Sequence, residues 1–211
     1  MVAGKTIIPV EKTHTVLYTE VDLSTYKSTS KRATRTKYTL DKILLTREFG
    51  FLVGMYLSEG SFRGRPGFAD TISFAATVKE VIDETLRCLS FIGVPGKFHK
   101  TQVLAGSAQL ARFFEYNFKR YCTEKEIPDW VFFSPKEFIE GIIDGLWSGD
   151  GYVSYKGDFN RIPTPGIVMD GENLVRGVHR LLTIYGISSS YRHFTTKFNA
   201  KRPGANKDHY K

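Results

Sequence analysis

Two stretches decide how this chain folds: LVGMYLSEG at residues 52–60 and IDGLWSGDG at residues 143–151. Each is an apolar run with a glycine in its body, Gly54 or Gly145, and each ends on an acidic residue followed by glycine, Glu59 and Gly60 or Asp150 and Gly151. Behind Thr46 as an N-cap, Phe49, Leu52, Val53, Met55, Tyr56 and Leu57 cover more than one face, so the pattern predicts a buried helix that stops at Gly60. The second predicted helix starts behind Ser134, Pro135 and Glu137, which read together as N-cap, first-turn proline and capping box, and runs through Phe138, Ile142, Ile143 and Leu146. A glycine inside a helix costs about 0.5–1 kcal/mol relative to alanine. Its presence at the same place twice wants a reason, and close contact between the two helices supplies one.

Outward from these helices the order of elements repeats. The first is followed by strand-like pieces at 60–65 and 71–76, then by an amphipathic helix opened by a Thr77/Glu80 capping box and closed by Gly93. A strand pair within 97–106 and a helix over 107–117 complete that unit. The second is followed by strand candidates at 152–156 and 166–169 and by an amphipathic helix through Leu174, Val178, Leu181 and Leu182 that stops at Gly186. RCLSFIGV at 87–94 aligns with RLLTIYGI at 180–187 at an offset of 93 residues, and the acid-glycine ends align at 91. The expected fold is therefore α+β, a tandem duplication of one α-β-β-α-β-β unit. The expected organisation is N-terminal strands (6–10 and 15–21) and a basic arm over 1–46, a first repeat over 47–133, and a second over 134–211 without a counterpart of helix 107–117.

If the paired helices cross at Gly54 and Gly145, Glu59 and Asp150 emerge at the same end. Two carboxylates so placed repel, and a helix C-terminus already disfavours negative charge. A divalent cation relieves both costs, and oxygen donors without nearby His or Cys select Mg²⁺ or a similar ion such as Mn²⁺. Net charge points the same way. The chain carries +8 at a pI near 9.4, and the excess lies in residues 27–42 and 191–211, each with six basic groups against one acidic. A cation site beside a surface suited to a polyanion suggests phosphodiester hydrolysis. Cys88 and Cys122 form no metal-ligand or disulfide pattern. No apolar run is long enough to span a bilayer, so a non-membrane, intracellular protein is expected.

The two nine-residue stretches resemble the paired LAGLIDADG motifs of homing endonucleases, departing from the consensus at Tyr56, Leu57 and Trp147 while keeping the final acid and glycine. The block Lys125, Glu126, Ile127, Pro128 ahead of the second motif is similar to the Lys-x-Ile-Pro block of intein endonuclease domains, and AGKTIIPV at 3–10 resembles the intein stretch before such an insert. The resemblance implies a pseudo-twofold saddle of two four-stranded antiparallel sheets over a DNA duplex, with a monomer spanning both half-sites. It also implies metal-bound Glu59 and Asp150 cutting the two strands, with Lys125 stabilising charge on the phosphate or polarising the attacking water. A second such lysine would fall near position 216, beyond Lys211, so strand-biased nicking is a possible outcome. Met1 is no splicing nucleophile and the end DHYK has no His-Asn pair, so self-splicing is not expected.

Recognition would fall to alternate residues on groove-facing strands. The candidates are Arg63, Arg65, Lys97, His99, Lys100, Gln102, Tyr155, Lys156, Arg192 and Lys197, with the facing parity open. Two other readings use the same scaffold: a DNA-binding regulator that does not cut, and an RNA maturase.

Overall fold

The computed structural model describes residues 14–26, 40–156, 162–196 and 207–210, with side chains left aside at Lys156, Ile162, 194–196 and 207–210. The strand expected at 6–10, Lys197 and most of the two basic stretches lie outside the described residues.

Helix α1 (Arg47–Glu59) opens where expected, with the Thr46 hydroxyl accepting from Phe49 N at 3.4 Å. Every residue from Phe49 to Leu57 is buried, which explains an apolar pattern on all faces. α1 packs along α4 (Lys136–Asp150), and the contact is built from glycine. A Cβ on Gly54 would lie 2.7 Å from Leu146 N and 2.9 Å from the Gly145 Cα; one on Gly145 would lie 2.7 Å from Met55 N and 2.9 Å from the Gly54 Cα. Gly50 and Gly141 extend the seam one turn back, the first against the Phe138 carbonyl and the second against that of Arg47. Each contact is matched by its counterpart 91 residues along the chain, as a twofold axis between the helices requires.

Each helix passes into a strand without a loop. β3 (Gly60–Arg63) follows α1 and β7 (Gly151–Lys156) follows α4. Gly60 and Gly151 are extended, with φ −84° and −72°, so their glycines serve space rather than a left-handed turn. A Cβ at Gly60 would strike Tyr56, and one at Gly151 would lie 2.8 Å from the Trp147 ring.

β3 joins β4 (Thr71–Ala75), β5 (Gly96–His99) and β6 (Gln102–Ala105) in an antiparallel sheet of order β3-β4-β6-β5. Its inner face, with Phe62, Ile72, Phe74, Val103 and Ala105, packs on the core beside α2 (Lys79–Phe91) and α3 (Ala108–Phe118). In the second unit β8 (Ile162–Ile167) pairs with β7, and β9 (His193–Thr196) with β10 (Lys207–Tyr210), around α5 (Glu172–Ile184). The first sheet has the four expected strands; the second unit shows two separate antiparallel pairs among the described residues. Pro163 and Pro165 account for the split. They sit at alternate positions of β8 and lack an N–H, and with β7 bonded on one edge the missing donors fall on the other, where a third strand would pair.

The duplication is clearest at the ends of α2 and α5. Gly93 (φ +76°) and Gly186 (φ +72°) both take the left-handed conformation. Val94 N donates to Leu89 O as Ile187 N donates to Leu182 O, both at 2.9 Å, a repeated Schellman-type stop. Trp147, the counterpart of the fully buried Tyr56, is 37% exposed. Tyr56 is covered by Phe114 of α3 at 5.1 Å between ring centroids, and no described helix of the second unit plays that part.

Several local expectations are corrected. The Thr77/Glu80 box does not form: Val78 is the N-cap of α2 and makes no side-chain cap bond. Pro135, not Ser134, is the N-cap of α4; the buried Ser134 hydroxyl instead donates to Trp130 O at 3.1 Å, closing the 3₁₀ turn Asp129–Phe133. Of 15–21 only the end enters β1 (Glu20–Asp22), paired with β2 (Lys42–Leu44), because Leu17 N and Tyr18 N are drawn to Phe133 O. The first strand stops at Arg63 because Gly64, at φ +93°, turns the chain. β8 spans Ile162–Ile167, upstream of the expected 166–169.

Candidate functional site

The glycine seam carries both motif acids to one end of the helix pair. A Cβ on Gly149, one residue before Asp150, would lie 2.6 Å from the Ser58 Cβ and 3.0 Å from the Glu59 Cγ, so the Glu59 side chain reaches across to the end of α4. Asp150 is partly buried. Burial first, and then the Glu59 charge, push its carboxyl up to about 6 from an ordinary 3.8, against the pull of Lys125. Asp170 adds to the upward push and is a third carboxylate in electrostatic reach that no sequence pattern marked. Glu59, Asp150 and Lys125 are thus brought together.

Lys125 is 3% exposed. Its ammonium donates to Tyr56 O at 2.6 Å, Gly60 O at 2.9 Å and Leu57 O at 3.3 Å, and lies 4.6 Å from the centre of the Tyr56 ring. Leu57 O is a carbonyl the helix end leaves open, Tyr56 O also takes the Gly60 N–H, and Gly60 O belongs to β3, so Lys125 ties the end of α1 to the start of the strand. Burial pushes its pKa down to about 8, while Asp150, Cys122 and Glu59 pull it up. Its ammonium thus has three backbone carbonyls as partners, within electrostatic reach of Asp150 and Glu59. No residue type or spacing in the loop 119–128 announced this burial.

Strand register sorts the candidates of the first sheet by face. Arg63, Lys97, His99 and Gln102 share its outer face, with Gln102 registered against both His99 and Ala75 and Arg63 against Thr71. Ser61, Thr71 and Ser73 share that face and were not singled out from the sequence. Lys100 lies in the β5–β6 turn at φ +58°, and Arg65 lies beyond β3 with its guanidinium 4.5 Å over the Phe68 ring. In β7, Tyr155, 63% exposed, shares a face with Val153; the side chain of Lys156 lies outside those described. Arg192 is exposed just before β9.

Two acidic side chains with oxygen donors only suit a hard divalent cation whose remaining ligands come from elsewhere. Among the described residues no group of three or more His, Cys, Asp or Glu is placed to hold a metal ion. None of the described helices is long and apolar enough to cross a membrane.

Residues 46–124 and 137–204 each match the family described as a LAGLIDADG-like domain, once per structural unit. The chain belongs to the LAGLIDADG-like family. It is 29% identical over 146 residues to a DNA polymerase of Thermococcus hydrothermalis and 28% identical over 173 residues to one of Thermococcus litoralis, covering 66% and 77% of this chain. It is also 28% identical over 158 residues, 71% of its length, to the DNA-directed RNA polymerase subunit Rpo1C of Methanocaldococcus jannaschii. The chain spans only 9%, 10% and 17% of these relatives. Among solved structures, mesophilic variants of the homing endonuclease I-DmoI align at 11% identity and TM-score 0.47 over 79% of this chain and 87% of theirs. I-DmoI bound to DNA and Mn aligns at 12% and 0.44, over 79% and 88%. The N-terminal LAGLIDADG domain of WhiA aligns at 9% and 0.47, over 84% and 78%. The mixed α and antiparallel β architecture of this LAGLIDADG protein is that of its family.

Proposed function

We propose that this LAGLIDADG protein is a site-specific double-stranded DNA endonuclease that hydrolyses phosphodiester bonds with Mg²⁺ or Mn²⁺, acting as a monomer inside the cell. The observation that carries the reading is the meeting of Glu59 and Asp150 over the glycine seam, with Asp150 pushed up first by burial and then by the Glu59 charge. A helix pair built only for stability gains nothing from two acids at its negative end.

In this reading Glu59 and Asp150 would hold a divalent cation, which would supply Lewis acidity and make a bound water more acidic than bulk. The water oxygen would bond to phosphorus as one ester P–O bond breaks, the water giving a proton to solvent and the departing sugar oxygen taking one up. Lys125 fixes the end of α1, and so the Glu59 backbone, and adds positive potential beneath the acids. The buried lysine serves the α1 end, so the two strands meet unlike sites and are cut at different rates. The outer face with Arg63, Lys97, His99 and Gln102 reads base edges, Lys100, Tyr155, Lys156, Arg192 and Lys197 extend the contact, and the basic stretches hold phosphates.

Two functionally different polymerases share this segment over a small part of their length. That supports an inserted, intein-type endonuclease origin over a polymerase role. The units 47–133 and 134–211, behind the segment 1–46, form the two halves of the DNA-binding saddle. The test is incubation of the full chain and Mg²⁺ with a duplex library, followed by sequencing of cleaved ends. Cleavage at one preferred site supports the endonuclease; binding without cleavage rejects it and favours the regulator, and preference for structured RNA favours the maturase.

A further inference from the structure

The turn between β3 and β4 is more rigidly held than a surface loop needs. Within it Arg65, Pro66, Gly67 and Phe68 form a tight turn, closed by Phe68 N donating to Arg65 O at 3.0 Å, with Gly67 at φ +73°. That is the type II arrangement, with proline in the second position and glycine in the third. The tip displays one stacked pair, the Arg65 guanidinium 4.5 Å over the Phe68 ring, and Phe68 is 61% exposed.

The turn is also clamped from behind by α3 and the residue just beyond it. Both Glu115 carboxylate oxygens accept from Gly67 N at 3.2 Å. The Glu115 carboxylate is held in turn by Arg120 at 2.9 Å, with the two side chains only 15% and 16% exposed. The other arm of Arg120 donates to Gly64 O, and its guanidinium lies 5.5 Å over the Phe62 ring. One ion pair therefore fixes both ends of the turn, at Gly64 and Gly67. An ion pair this sheltered keeps a defined geometry, which exposed pairs do not.

We infer that residues 64–68 are a preordered DNA-reading element in which Arg65 contacts base edges, and that Glu115 and Arg120 are positioning residues that set its base preference without touching DNA. The inference rests on the endonuclease reading and adds to it a determinant of specificity. A side chain delivered by a stiff turn loses little entropy on binding. Its discrimination among bases then depends on how well its position is kept, because a bidentate arginine contact tolerates little displacement.

The experiment compares the consensus selected from a randomised duplex library, without divalent cation, by the full-length wild type, Arg65→Ala, Glu115→Gln, Arg120→Met and Pro66→Ala. Pro66→Ala loosens the turn at an exposed position without touching the ion pair, so it serves if the clamp variants fold poorly. Arg65→Ala is expected to lose preference at a small set of base positions by about tenfold. Glu115→Gln, Arg120→Met and Pro66→Ala are expected to lose several-fold at those same positions and to keep the rest of the consensus. If the clamp variants and Pro66→Ala select the wild-type consensus while Arg65→Ala does not, the positioning role is wrong. A uniform loss across all positions in step with a lower melting temperature makes the clamp merely structural and also overturns it. A wild type that selects no consensus removes the DNA-reading function itself, a result distinguishable because all variants then behave alike.

Discussion

Gly54 and Gly145 sit back to back, each with the space for its missing Cβ filled by the other's Cα at 2.9 Å. Everything proposed for the protein depends on that contact, because it fixes the crossing of α1 and α4 and hence the meeting of Glu59 and Asp150. The atoms in the way are backbone and cannot swing aside.

Gly54→Ala and Gly145→Ala are each expected to cost about 3 kcal/mol or more, beyond ordinary overpacking. That lowers the melting temperature by roughly 6–12 °C or prevents folding. Gly106→Ala is the control: nothing lies within 4 Å of its Cβ position, so its effect should stay within about 0.5 kcal/mol. Thermal melts of the three variants check both statements.

Lys125→Met keeps the length of the stem and removes the cap. The carbonyls of Tyr56, Leu57 and Gly60 lose the ammonium in a buried place, Tyr56 O keeping the Gly60 N–H, at a cost of about 1–3 kcal/mol. The expected fall in melting temperature is roughly 2–12 °C, together with slower cleavage on the strand served by Glu59. A melting temperature equal to wild type would show that the lysine does not hold the helix end.

Asp150→Asn should stabilise the protein at neutral pH. Because Asp150 is pushed up to about 6 from 3.8, the folded form binds this proton more tightly than the unfolded chain. Stability therefore falls as pH rises through that window, and the full cost stands above about pH 6. The variant is expected to melt above the wild type at pH 7.5, by about 2–4 °C for each kcal/mol relieved, and the gap should close at pH 4. The Glu59 charge contributes to the push, so the same substitution in a Glu59→Gln background should stabilise less.

Cation binding needs the ionised form of Asp150. At limiting Mg²⁺, cleavage should rise about tenfold per pH unit below pH 6 and level off above it. Raising Mg²⁺ should move the half-rise to lower pH, since the cation competes with the proton. A pH–rate profile at two Mg²⁺ concentrations measures the displacement.

The duplication and the helix-end acids were legible in the sequence because both rest on short-range periodicity. Gly54 and Gly145 stood out as costly in a helix, whereas Gly50 and Gly141, one turn earlier and in the same seam, lay outside the nine-residue stretches and were missed. Caps were less legible. Ser134 has the composition of an N-cap, but tertiary burial turned its hydroxyl towards Trp130. Face parity in the first sheet depended on register, set by pairings such as Phe62 with Ile72 across nine intervening residues. Lys125 was legible only through the family resemblance, and even that gave its position without its burial, which comes from the approach of a distant segment to the end of α1.

The most direct measurement of the central claim is strand-resolved, single-turnover cleavage of the selected duplex by wild type, Glu59→Gln and Asp150→Asn, with Mg²⁺ and with chelator. The account predicts that chelator abolishes cutting and that each substitution slows it at least about 100-fold, while duplex affinity stays within a few-fold of wild type. Cleavage by either variant at the wild-type rate, or cutting that persists in chelator, would contradict it.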